Sequence, residues 1–323
     1  MKIDPSRRLL LATLAGLPLV SSAQDAWPTR PITMIIPFPP GGVADAVGRP
    51  VAEALGRVLG QPVVVENRAG AGGGVGMAQV ARAKPDGYTV MMALSSVTIL
   101  PEADRVLERA PMYTLDQLTP LARFTADPTV LVVRADSPWR TLEEFIADAR
   151  KRPGAITFGS SGNYGTMHVP MEMLKQATGT FMLHVPYTGA GPAIVGLIGA
   201  QVDALATGPA TIVQHVKAGR LRALAHWGEG RLGSLPDVPS LEQSGVKVQF
   251  SQWAGLFAPA GLPEAVNARL REAAARAATD ERVVKSIGGA GTPIQYLDSP
   301  AFASFVRDDA RVMGEVVRRI GKQ

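Results

Sequence analysis

Apolar positions along this chain recur with two periods. From Pro31 to Arg123, short runs of β-branched and other apolar residues alternate with stretches whose apolar residues stand three to four apart. Residues 32–37 form the first run and predict a strand. Val47, Val51, Leu55, Val58 and Leu59 then predict a helix, which Pro50 should kink. Residues 62–66 predict a second strand, and a glycine-rich stretch at 70–76 leads into a helix containing Val80. A third strand is predicted at 88–94, after the turn Lys84-Pro85-Asp86-Gly87. This βαβαβ order belongs to a mostly parallel sheet flanked by helices.

A second unit of the same kind begins near Phe124. Strands are predicted at 129–133, 156–158, 181–185, 202–206 and 221–225, with a short helix at 192–198. Thr141 and Glu144 form a capping box for a helix reaching Arg150. Two apolar stripes follow in the tail. One is Val266, Leu270, Ala273, Ala274 and Ala277; the other is Phe302, Phe305, Val306, Met313 and Val316, opened by Ser299 as N-cap and Pro300 behind it. No linker-like segment lies at 120–125 or 225–232, so the chain is expected to cross between two lobes and return. The expected division is 24–123 with 227–323 in the first lobe, and 124–226 in the second.

The N-terminus stands apart from this pattern. Lys2, Arg7 and Arg8 precede an apolar stretch of 12 residues from Leu9 to Val20, and Ser21-Ser22-Ala23 supplies a small-residue cleavage site. Residues 1–23 therefore read as a signal peptide, of the general secretory kind or, through Arg7-Arg8, of the twin-arginine kind. Either route exports the protein to the periplasm. The chain carries a net charge of +5, and losing the segment's +2 leaves +5 − 2 = +3. With no basic cluster and few aromatic residues, that is not a nucleic-acid footprint. The absence of cysteine removes disulfides, thiolate nucleophiles and zinc–cysteine sites. His168, His184, His215 and His226 show no metal-ligand spacing, so neither metal nor cofactor is expected.

The candidate chemistry lies in two small-residue loops about 120 positions apart, Pro37-Phe38-Pro39-Pro40-Gly41-Gly42-Val43-Ala44-Asp45 and Gly159-Ser160-Ser161-Gly162-Asn163-Tyr164-Gly165-Thr166-Met167-His168. Each joins a predicted strand to a helical pattern. The unpaired N–H groups at a helix start suit an anion, glycines admit a ligand close to the backbone, and hydroxyls add donors. The glycine-rich stretch at 70–76 misses dinucleotide spacing in every register, and no phosphate-loop lysine is present. Gly159-Ser160-Ser161-Gly162 approaches a nucleophile elbow, but Asn163 stands where glycine is needed. An exported serine-type hydrolase using Ser160 or Ser161 with His168 is therefore the weaker alternative. His168 either packs as a buried or capping residue or meets ligand. Asp45 either supports the first helical turn or meets ligand. Phe38, between two prolines, is expected to line the pocket, whereas Trp227, Phe250, Trp253 and Phe257 read as a core or hinge cluster.

Taken with Gly60-Gln61-Pro62 through Gly73, Pro85-Asp86-Gly87-Tyr88-Thr89, Val185-Pro186-Tyr187-Thr188-Gly189, Leu235-Pro236-Asp237-Val238-Pro239-Ser240 and Phe257-Ala258-Pro259-Ala260-Gly261, these segments resemble the substrate-binding receptors of tripartite tricarboxylate transporters, the Bug family. The resemblance covers nearly the whole mature chain. It implies a monomeric periplasmic receptor of the α/β type II-like flytrap kind, each lobe a mostly parallel sheet flanked by helices. It implies capture of a small carboxylate, delivery to membrane permease subunits, and no catalytic residues. A sensor for a signalling partner differs from this only in its partner. The binding residues implied are Phe38, Pro40, Gly41, Gly42, Val43 and Asp45; Ser95 and Ser96; Ser160, Ser161, Gly162, Asn163, Gly165, Thr166 and His168; Tyr187, Thr188 and Gly189; and Thr207. Two stretches depart from the family pattern, Ile99-Leu100-Pro101 in place of an Asn-Pro, and the small, rigid Thr207-Gly208-Pro209-Ala210. Both are expected to shape the far end of the pocket.

Overall fold

The structure, a computed structural model, describes residues 27–322, and the expected signal peptide lies outside the described residues. The apolar runs of the first unit pair with one another. β1 (Ile32–Ile36) lies between β2 (Val63–Asn67) and β3 (Thr89–Leu94), parallel to both. α1 (Val43–Leu59) continues through Pro50 as one helix and buries Val47, Val51 and Leu55. α2 (Gly74–Ala81) follows β2. α3 (Ser96–Val106) follows β3 directly and is absent from the sequence expectation. Its Ser-Val-Thr-Ile-Leu-Pro opening has strand-favouring residues with no polar face, because every residue from Ser96 to Pro101 is buried.

Two long strands complete the first sheet. β4 (Leu118–Pro128) and β10 (Ser251–Pro259) pair antiparallel, and β10 also runs antiparallel to β3, giving the order β2-β1-β3-β10-β4. The second sheet repeats that plan with β5 (Val130–Arg134), β6 (Thr157–Ser160), β7 (Leu183–Pro186), β8 (Ala204–Thr207) and β9 (Leu221–His226), in the order β7-β6-β8-β5-β9. β6 is parallel to β7 and β8, and β5 is antiparallel to β8 and β9. Each sheet thus takes its one reversed strand from a segment arriving from the other. The helices around the second sheet are α4 (Leu142–Lys151), α5 (Val169–Thr178), α6 (Ala190–Ile198) and α7 (Val213–Lys217). Thr141 caps α4 by accepting the Glu144 N–H at 3.3 Å.

Because Thr125 to Pro128 stay paired with β10 and β5 opens at Val130, the chain passes between sheets at Thr129. The return passage runs beside it. Trp227 N–H donates to Thr129 O at 2.9 Å, Thr129 N–H to Phe250 O at 3.3 Å, and Phe250 N–H to Trp227 O at 3.0 Å.

The tail contains α8 (Glu264–Thr279), α9 (Glu281–Gly289) and α10 (Ser299–Ile320). Asp298, one residue before the expected Ser299, caps α10 by accepting from Ala301 N–H at 3.0 Å; the Ser299 hydroxyl donates instead to Pro120 O. α10 lays Phe302 and Phe305 against Trp253 of β10 with ring centroids 5.5 and 5.6 Å apart, near-perpendicular in both cases. Its far end reaches the second unit, where Tyr164 OH donates to Gly321 O at 2.6 Å. The core follows the strand alternation of β5. Leu131 and Val133 join the large core shared with the first sheet, while Val130 and Val132 face a smaller one with Met167, Leu197, Leu205 and Ile212.

Candidate functional site

The carboxyl ends of β1 and β6 bring the two predicted loops to the same cleft. The first loop is held from behind. Asp45 Oδ1 accepts from Arg49 Nε at 3.0 Å and Asn67 Nδ2 at 3.2 Å, and Oδ2 accepts from Gly41 N–H at 3.2 Å. Asn67 also donates to Phe38 O at 2.8 Å. Burial alone would raise the Asp45 carboxyl, but the hydrogen bonds from Arg49, Asn67 and Gly41 and the Arg49 charge outweigh it and hold the group below its ordinary value. Asp45 therefore fastens the loop. Gly42, the N-cap of α1, is extended and caps with no side chain, and its carbonyl accepts from Asp45 N–H at 3.1 Å and Ala46 N–H at 3.0 Å. Phe38 packs between the two prolines and the 70–74 turn. Its ring is buried, and a Cβ built on Gly73 would stand 2.9 Å from Phe38 Cζ, so the ring fills the space beneath the 70–74 turn.

The second loop is fastened by two imidazoles. Ser160 is fully buried, with its Oγ 2.5 Å from His184 Nε2 and accepting from Gly162 N–H at 3.1 Å. Burial, followed by the neighbouring His168, pushes the His184 imidazole down to about 3, so it stays neutral and shares a hydrogen bond with the Ser160 hydroxyl. His168 stacks on His184 with centroids 4.0 Å apart, and its Nδ1 accepts from Tyr164 N–H at 2.9 Å. Its Nε2 lies 3.4 Å from Glu172 Oε1, which Lys175 Nζ approaches to 2.6 Å. Burial works to raise the Glu172 carboxyl, but His168 and Lys175 hold it below its usual range. Sequence reading left Glu172 unpaired with His168, although it stands one helical turn on. Ser160 is thus tied to β7 through His184 and His168 to Tyr164 of its own loop, and the hydroxyl of Ser160 faces His184 rather than His168.

Ser161 is placed differently. It is 3% exposed, its Oγ has no hydrogen-bond partner, and it lines a cavity of about 600 Å3. Gly162, Asn163, Tyr187 and Thr188 line the same cavity. The opposite wall is the 70–74 turn with Leu100, Met112 and Tyr113, which sequence reasoning had set aside with the failed nucleotide motif. Gly70, Gly72 and Gly73 all have positive φ, and so does Ala71, the signal that marks this turn as a close-approach element. The charged lining residues, Asp104 and Arg109, are paired at 2.8 Å.

The two units touch around this space. A Cβ on Gly162 would lie 2.9 Å from Gly72 N, and one on Gly189 would lie 2.4 Å from Pro39 Cδ. Pro40 O, Gly41 and Gly42 face the 189–191 segment, and Val43 reaches Gly208. Ser95 and Ser96, at the start of α3, are buried with unpartnered hydroxyls. Gly165 packs under Ser161, where a Cβ would stand 2.8 Å from its Oγ. Thr207 is spent on Thr211 at 3.0 Å. Thr166 Oγ1 accepts from Gln252 Nε2 at 2.9 Å, which brings β10 to the cleft through a residue that no sequence motif marked.

Residues 47–322 match the model of the family described as "Tripartite tricarboxylate transporter family receptor". The chain is 33% identical to Protein BugT of Bordetella pertussis over 314 residues, 97% of this chain and 95% of that protein. It superimposes on MatC (Rpa3494) from Rhodopseudomonas palustris, solved with bound malate, with TM-score 0.85 and 29% identity, covering 90% of this chain and all of that one. R. palustris Rpa4515, solved with adipate, gives TM-score 0.85 and 26% identity over 91% of this chain and 98% of that one. Two sheets of matching order, a cavity between the 70–74 turn and the 161–164 loop, and a family match over most of the length agree. The chain belongs to the tripartite tricarboxylate transporter receptor family and is a solute-binding receptor, not an enzyme.

Proposed function

We propose that this receptor works in the periplasm after losing residues 1–23, captures a small carboxylate between its two units and hands it to membrane permease subunits of the tripartite tricarboxylate kind. The lobes in this reading are the two sheets with their helices, joined at Thr129 and along 227–250, and they close around the ligand. The observation that carries the reading is the unpartnered, buried Ser161 hydroxyl in a cavity walled by two backbone-rich turns with no unpaired charge on its lining. An anion met by hydroxyl and N–H donors from both lobes favours closure, since a one-lobe contact leaves half its hydrogen bonds unmade. Malate and adipate, bound by MatC and Rpa4515, set the size and charge of the ligands to try first. The ligand contacts proposed are Ser161, Gly162, Asn163, Tyr187 and Thr188, with Ser95, Ser96 and the α1 N-terminus completing the wall.

The test is calorimetric titration with malate, adipate and their uncharged diamides. Carboxylates are expected to bind and the diamides not to. Ser161→Ala should weaken binding about tenfold, roughly the 1.5 kcal/mol of one hydrogen bond to a charged group. Equal binding of diamide and acid, or an unchanged affinity in Ser161→Ala, would overturn the proposed contacts.

A further inference from the structure

Away from the cleft, a second cavity of about 430 Å3 lies against the passage between sheets. Its walls come from three places: Asp127 and Pro128 at the end of β4, Glu229 to Ser234 after β9, and the 288–295 link between α9 and α10. Asp127 is 4% exposed, and no hydrogen-bond donor reaches its Oδ2. Ser234 Oγ, also on the lining, is buried and unpartnered.

The neighbouring donors are committed elsewhere. Arg123 Nε donates to Gln295 O at 3.2 Å, and its guanidinium sits over the Phe305 ring at 4.7 Å. Gln295 Nε2 donates to Ala126 O at 2.7 Å. Arg231 turns to Pro236 O at 2.9 Å and to Asp237 at 3.8 Å. Glu229 accepts from Gln249. The cavity therefore offers a buried carboxylate and a hydroxyl with nothing donating to the carboxylate Oδ2. A buried carboxylate without a partner is costly, and a compact cation carrying N–H donors removes that cost.

We propose that this cavity is a second ligand site, taking the primary ammonium group of a small amine on Asp127 with Ser234 as a second acceptor. The site is chemically opposite to the cleft, where the unpaired groups are hydroxyls and backbone donors. It is also placed to act on closure. Its walls touch across the gap, since a Cβ on Gly291 would lie 2.8 Å from Val213 Cγ2 and 3.1 Å from Ser234 Cβ. An ammonium held between β4 and the 229–234 segment ties the first lobe to the return passage and favours the closed form. By linkage, the amine and the cleft ligand then raise each other's affinity. That coupling rests on the proposed carboxylate reading; the ammonium site itself does not.

The experiment is calorimetric titration of the exported chain with ethylammonium chloride at pH 8 and constant ionic strength. Tetramethylammonium, which has the charge but no N–H donor, is the control. One saturable ethylammonium site is expected, with tetramethylammonium at least tenfold weaker. Asp127→Asn should weaken ethylammonium at least tenfold, and Ser234→Ala a few-fold, while both variants still bind the cleft ligand. A far-UV circular dichroism spectrum matching the parent's shows, independently of any cleft ligand, that they are folded. No saturable ethylammonium binding, equal binding of tetramethylammonium, or unchanged affinity in Asp127→Asn would each overturn the site. Because ethylammonium is titrated without any carboxylate, failure here is separate from failure of the cleft reading.

Discussion

Position 162 leaves room for hydrogen and nothing larger. Gly162 has φ +116°, and a Cβ there would press on the backbone nitrogen of Gly72 in the other unit at 2.9 Å. Gly41, in the facing loop, also has positive φ but nothing within 4 Å of its Cβ position. The same substitution at the two sites should therefore act differently. Gly162→Ala holds the loops apart and is expected to weaken carboxylate binding at least tenfold. Gly41→Ala adds only backbone strain of about 1–2 kcal/mol and should leave affinity within a few-fold of the parent. Titrating both variants decides this; equal losses would mean that loop apposition does not control binding. The loops were legible in the sequence as places where small residues cluster. Which residues use their polar atoms internally was not. Ser160 and Ser161 are neighbours of one type, yet the first is bound to His184, 24 positions away, and the second is free.

Among the elements, short apolar strands were readable and the long strands of the crossing were not. β1, β2, β3, β5 and β6 are short apolar runs bounded by turns, and the periodicity marks them. β4 and β10 carry Arg123, Asp127 and Gln252 inside the strand, which blurs alternation, because one end of each strand faces the cleft or the hinge cavity. The aromatic cluster on β10 was legible as packing, and α10 supplies its other half. Phe302 is fully buried, with Trp253 and Phe257 centroids 5.5 and 5.1 Å away. Phe302→Ala removes a buried ring and leaves a cavity, at a cost of about 3–5 kcal/mol. The expected result is a melting temperature lower by on the order of 10 °C. A drop of a degree or two would show that α10 contributes little to holding the first sheet.

For the whole molecule, two buried carboxyls set part of the pH dependence of stability. Burial raises Asp127 to about 7, offset only in part by the Arg123 charge, and burial raises Asp309 to about 6 despite the hydrogen bond from Thr98. The unfolded chain releases these protons near pH 4, whereas the folded chain keeps them until pH 6 to 7. Between those limits the folded state binds more protons, so raising the pH removes stability, and the loss is complete above pH 7. Asp127→Asn should consequently melt higher than the parent at pH 8, by several degrees for a cost on the order of 2–4 kcal/mol, and equally at pH 4. A pH-independent difference would show that Asp127 keeps an ordinary acidity. What the sequence determined alone is the α/β plan, the two-unit organisation, the resemblance to carboxylate receptors and the two small-residue loops. Each of these depends on local spacing, turn chemistry or short motifs. Tertiary structure alone decided where the chain changes sheets, that the 70–74 turn walls the cavity, that His184 fastens the second loop, and that Asp127 is buried with no donor on its Oδ2. Those features depend on which distant strands lie side by side, and pairing across more than a hundred residues leaves no periodic trace in either partner.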